Sequence, residues 1–122
     1  EAVGFKRVFH QVARAVGPFF EDYDVYLAPT LGKPPLSVGE LNPMDPDFDD
    51  YFARLFDFIP FTPLFNITGQ PGVSLPLHWN DQGLPIGVQF LSKMGAEGVL
   101  YQLAGQLERA QPWADRRPPD LG

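Results

Sequence analysis

The sequence predicts a mixed α/β fold in the order α-β-α-β-β-α, on three observations. Apolar residues recur at i, i+3 and i+4 in three separate stretches, as they do in helices with one buried face. Two runs of alternating apolar and polar residues flank Asn80-Asp-Gln-Gly83, the pattern of a β-hairpin. A short apolar run ended by Pro29 reads as a strand buried on both faces. The 12 glycines and 14 prolines gather between these runs, which is element-and-loop alternation and not low complexity.

The first helix is predicted from the stripe Val3, Phe5, Val8, Phe9, Val12 and Val16. It opens at Glu1 without an N-cap residue, which suggests a piece of a longer chain. Gly17-Pro18 should end it, because proline lacks a donor and clashes one turn back. Asp24–Ala28 is the strand, expected in the middle of a sheet, and Pro29 to Pro35 is a loop. A second helix is carried by Phe48, Tyr51, Phe52, Leu55 and Phe56, with Asp47, Asp49 and Asp50 at the positive end of its dipole. The segment from Thr62 to Gln70 reads as a loop with polar groups at Asn66, Thr68 and Gln70. In the hairpin, Pro76 pushes the first strand toward an edge or a bulge. Val99, Leu100, Leu103, Ala104 and Leu107 define a third helix that Pro112 stops.

Composition excludes whole classes of function. With 9 basic and 15 acidic residues the formal charge is −6, and no basic stripe suits a phosphate backbone. No apolar run approaches the length of a membrane span, and no signal segment opens the sequence. The absence of cysteine removes disulfides, thiol nucleophiles and cysteine-held metals together. At 44% hydrophobic residues the chain can bury one core, and it is too apolar for a disordered tail.

Little catalytic chemistry is visible. Of the three serines, Ser74 in Gly72-Val-Ser-Leu-Pro76 sits in a strand, with proline where a nucleophile elbow needs glycine. Neither His10 nor His78 has a partner at metal spacing. Asp45, Asp47 and Asp49 mimic a calcium loop, but Asp50 and Phe56 replace its glycine and its bidentate glutamate. Helix-start carboxylates explain them better. Seven of the seventeen aromatics fall between Phe48 and Phe65. A core-facing helix accounts for them, and the wall of an apolar pocket is the alternative.

Three segments together carry a resemblance. Tyr23-Asp-Val-Tyr-Leu-Ala-Pro-Thr30, Phe61-Thr-Pro-Leu-Phe-Asn-Ile-Thr-Gly-Gln-Pro-Gly-Val-Ser-Leu-Pro76 and Gly83-Leu-Pro-Ile-Gly-Val-Gln89 resemble, in order and spacing, the C-terminal quarter of amidase-signature enzymes. The ending Pro112-Trp-Ala-Asp-Arg-Arg-Pro-Pro119 leans toward bacterial amidases similar to 6-aminohexanoate cyclic dimer hydrolase. The resemblance implies the end of an α/β/α sandwich, with residues 1–122 as one partial domain and 31–58 as a variable, pocket-lining insertion.

It also implies amide hydrolysis by a Ser–cis-Ser–Lys triad without metal or cofactor, carried by a signature upstream of these segments. No Gly-Ser-Ser-Gly string occurs here, and Lys6, Lys33 and Lys93 match no catalytic position. No catalytic residue is therefore expected in the chain. Substrate contacts are expected from Thr30 and Leu31, after the first strand, and from Phe61 and Asn66. Asn66 is expected to satisfy backbone groups in its turn, and so to matter more than Ser37 or Ser92 to the activity or folding of the full-length protein. The implied protein is cytoplasmic, acts on a small-molecule amide and touches neither nucleic acid nor membrane. The isolated chain is expected to be inactive and to form a homo-oligomer. Two alternatives stand beside this reading: a separately encoded module docking on a catalytic amidase-like partner, and a small-ligand domain using the Phe48–Phe65 wall.

Overall fold

Three antiparallel strands lie between two layers of helices. The structure, a computed structural model, describes residues 2–118, with side chains from residue 7 onward. Its elements are α1 (Ala2–Val16), α2 (Phe19–Asp22), β1 (Val25–Pro29), α3 (Phe48–Phe58), α4 (Thr62–Thr68), β2 (Gly72–Trp79), β3 (Pro85–Ser92) and α5 (Glu97–Ala110). The predicted order is present, with two short helices added. The uncapped start at Glu1, the side chains of Val3 and Phe5, and Pro119 lie outside the described residues.

The sheet order is β1-β3-β2. Because side chains alternate along a strand, the register assigns each residue to a face. Tyr26 and Leu91 pair and share one face, where Phe20 and Phe65 cover them with Val16 and Phe19. Val73 and Phe90 pair on the other face. There Leu75, Phe90 and Leu100 form the core, with Leu103, Ala104, Leu107 and Trp113 of α5 and beyond around it. The Gln111 amide donates to the Leu77 carbonyl at 2.9 Å and ties the end of α5 to β2.

Local chemistry explains the element ends. The Gly17 N–H still donates to the Ala13 carbonyl at 3.0 Å, and Pro18 then starts α2 in a helical conformation. In the hairpin turn, Asn80 Oδ1 accepts the N–H groups of Gln82 (3.0 Å) and Leu84 (2.8 Å), while Gly83 takes φ 77°. Pro76 behaves as expected. Strand β2 is an edge, and its pairing slips between Pro76 and His78.

Three findings refine the expectations. Strand β1, expected mid-sheet in the longer protein and short of a neighbour in this chain, has β3 as its one neighbour among the described residues. Ala28 is buried, but Leu27 is 61% exposed because α5 packs over β2 and β3. The stripe of α3 faces no core: the helix has no buried residue, and Phe48 and Phe56 are exposed. The segment after Phe61 is a helix instead of a loop. Pro63 stands in its first turn, where its fixed φ suits a helix and its missing N–H costs nothing. Gly69, at φ 79°, caps the other end by donating to the Phe65 carbonyl at 2.8 Å.

Asn66 on α4 and Ser92 at the end of β3 differ in burial. Asn66 is exposed, and its side chain makes no hydrogen bond among the described residues. Ser92 is fully buried, with its hydroxyl donating to the Ala96 carbonyl at 3.1 Å. Within this chain Ser92 is therefore the costlier of the two to replace. Ser92→Ala should cost about 1 kcal/mol of stability by urea unfolding. Asn66→Ala should stay within about 0.5 kcal/mol of the parent.

Candidate functional site

Thr30 follows directly on β1, and its N–H donates to the Gly87 carbonyl at 3.0 Å. Its hydroxyl lies 2.6 Å from that of Ser74 on β2. One O–H in the pair is used between the two oxygens, which leaves one free to donate. Register places Gln89 between Ala28 and Ser74. Gln89 is buried, and its Nε2 has no partner among the described residues. A sheet face that is apolar around Tyr26 and Leu91 therefore turns polar at Ser74, Gln89 and Thr30.

Leu31 is half-buried in a small cleft with Lys33, Pro35, Pro85, Ile86 and Gly87. Beyond it, the Gly32 N–H donates to the Phe58 carbonyl at 2.9 Å, and Lys33 pairs with Asp57. The strap from Thr30 to Lys33 thus leads from the sheet to the C-terminal end of α3. Phe61 is half-buried at the start of α4, and Asn66 is exposed on that helix. Thr30 and Leu31 come together. No described contact joins them to Phe61 or Asn66.

Along α3 the aromatic rings form a ladder. Phe48 and Phe52 are 4.4 Å apart between centroids, Phe52 and Phe56 6.0 Å, and Tyr51 meets Phe52 edge-on. The acidic start of this helix is a capping device and not a metal loop. Asp47 Oδ1 accepts the Asp50 N–H, and Asp45 Oδ1 accepts the Asp47 N–H. Arg54 binds the assembly from the side. It donates to the Glu40 carbonyl at 3.1 Å and to Asp45 at 2.5 Å, and its Nε stands 2.8 Å from the Asp50 carboxylate. The spacing of the aspartates does not point to Arg54, which reaches them from one turn further along α3.

The Asp47 N–H and then the Arg54 guanidinium hold the Asp45 carboxyl below its ordinary value, and Arg54 is raised in return, mainly by Asp45. The sign follows from linkage. A depressed folded pKa gives stabilisation that is full above the unfolded carboxylate value, about 4, and lost as pH falls through the lower folded value. The Arg54 side-chain resonances should therefore shift on the acid side of pH 4, and Asp45→Asn should abolish that step. An unchanged titration in the variant would refute the assignment.

An open cleft of about 840 Å³ lies elsewhere, between the hairpin turn and the C-terminal segment, with Arg116 stacked 4.1 Å from the Trp79 ring centroid. It shares only Pro85 with the small cleft around Leu31 and holds neither Thr30, Leu31, Phe61 nor Asn66. No described helix is long and apolar enough to cross a membrane.

The model of the Amidase family matches residues 6–100, and the chain belongs to that family. It is 40% identical over 104 residues to "Putative amidase AmiC" of Mycobacterium leprae, covering 85% of this chain and 22% of that one. It is 36% identical over 101 residues to the 6-aminohexanoate-cyclic-dimer hydrolase of Paenarthrobacter ureafaciens, covering 79% and 20%. A solved structure of 6-aminohexanoate cyclic dimer hydrolase superposes with a TM-score of 0.83 at 34% identity, over 93% of this chain and 25% of that chain. The chain thus spans a fifth to a quarter of the length of these relatives.

Proposed function

We propose that the chain is the back quarter of an amidase, a hydrolase of C–N bonds in non-peptide carboxamides. The catalysis is assigned to a Ser–cis-Ser–Lys triad in the part of the protein outside these 122 residues. Such a triad needs a hydroxyl activated by a neighbouring base and donors placed for the oxyanion. This chain supplies scaffold and part of the substrate pocket, with residues 31–58 as the variable wall. Thr30 and Leu31 meet the small-molecule amide from the sheet side, and Phe61 and Asn66 meet it from α4. No metal or cofactor takes part, and the protein works in the cytoplasm. The observation that carries this reading is the close superposition on one quarter of a 6-aminohexanoate cyclic dimer hydrolase.

One observation favours the second reading, a separately encoded module that docks on a catalytic partner. The sheet has a helix layer with its own core on each face, within these residues. Activity separates the readings. The isolated chain should hydrolyse neither a chromogenic anilide nor a p-nitrophenyl ester above the buffer rate. Fused to the first three-quarters of the Paenarthrobacter ureafaciens hydrolase, it should restore turnover. Equal turnover from the two pieces supplied as separate chains would select the docking module. Turnover by the isolated chain that vanishes in Ser74→Ala would overturn both.

A further inference from the structure

We propose that Ser74 and Gly87 are positioning residues for the substrate pocket: they clamp Thr30, and the strap Thr30–Lys33 carries that position to α3. The inference rests on the reading of residues 31–58 as pocket wall, and it assigns a role to two residues outside that segment.

The clamp holds Thr30 from two strands at once. Its N–H is fixed to the Gly87 carbonyl on β3, and its hydroxyl is fixed to Ser74 on β2. Gly87 is required by space and not by backbone conformation. A Cβ at that position would lie 2.8 Å from the hydroxyl oxygens of both Ser74 and Thr30, and 3.1 Å from Thr30 Cβ. Any side chain there would part the two hydroxyls. The other end of the strap is equally tight. A Cβ on Gly32 would lie 2.4 Å from the Asp57 carbonyl oxygen and 3.0 Å from the Pro60 ring. Leu31 is therefore suspended between a sheet anchor and a helix anchor, and α3 has no buried residue to hold it independently. The clamp, the strap and Arg54 are what set where the Phe48–Phe52–Phe56 ladder stands.

Amide hydrogen exchange on the 122-residue chain tests this without any need for activity. In Ser74→Ala and in Thr30→Val, exchange at Thr30 and Gly32 should rise roughly five- to tenfold, the loss expected for one hydrogen bond. Exchange at Asn80 in the hairpin turn and at Ser92, whose N–H donates to the Pro71 carbonyl at 3.1 Å, should stay unchanged. The double variant should be no faster than either single one, because the two hydroxyls serve each other. Ser74→Thr should restore slow exchange. Equal acceleration at all four amides would show a general loss of stability and overturn the proposal. So would an unchanged Gly32. A fusion without activity but with this exchange pattern would count against the pocket reading alone.

Discussion

At micromolar concentration the isolated chain should sediment at twice its monomer mass, paired through the free edge of β1. A compact monomer of this size exposes roughly 6,500 Å², whereas this chain exposes 9065 Å². The excess, roughly 2,500 Å², is about three times what one partner buries in a standard interface. Much of it is apolar: Leu27, Tyr23, Phe48 and Phe56 are all more than half exposed. The outer edge of β1 combines such residues with unpaired backbone groups, and Val25–Pro29 contains no lysine to discourage another strand, its one proline standing at the last position. An antiparallel edge complements itself, so a two-fold pair is the simplest closed solution. Leu27→Lys should return the chain to monomer. A monomeric parent that binds no hydrophobic dye would show that the exposed face needs no cover.

Legibility in the sequence followed locality. The hairpin was readable because Asn80, Gly83 and the period-two runs act within a few residues of one another. So was the aspartate cap of α3, where Asp47 serves Asp50 three residues on. The burial of α3 was not readable, since an amphipathic period shows that a face wants cover without showing what covers it. Proline and glycine disguise helix α4 as a turn, although Pro63 and Gly69 sit where a short helix accepts them. At the site, Thr30 and Leu31 carry a motif that the sequence shows. Ser74 reads as a strand hydroxyl and is one, but its partner Thr30 lies 44 residues away. No local pattern announces a contact of that kind. Nothing local requires a glycine at Gly87; the reason is the Thr30 and Ser74 hydroxyls, which the sheet brings within 2.8 Å of where its Cβ would be.

Phe90→Ala should cost about 3–5 kcal/mol, the largest loss of any single truncation in the chain. Phe90 sits on the central strand, paired with Leu27 on one side and Val73 on the other, and is only 5% exposed. Its ring belongs to the core under α5, with Leu75 and Leu100. Removing it takes apolar contacts from the sheet and from the helix at once, and β3 joins both other strands, so relaxation into the gap is resisted. Domains of this size are stable by only about 5–15 kcal/mol, and the large exposed surface of this one places it low in that range. The variant should therefore lose most of its urea resistance. Phe56→Ala gives the contrast. That ring is 54% exposed on α3, and its removal should cost well under about 1 kcal/mol. Measured at concentrations low enough to keep the chain monomeric, comparable losses in the two variants would mean that α3 carries a core of its own, and that its aromatic face is not free to line a pocket.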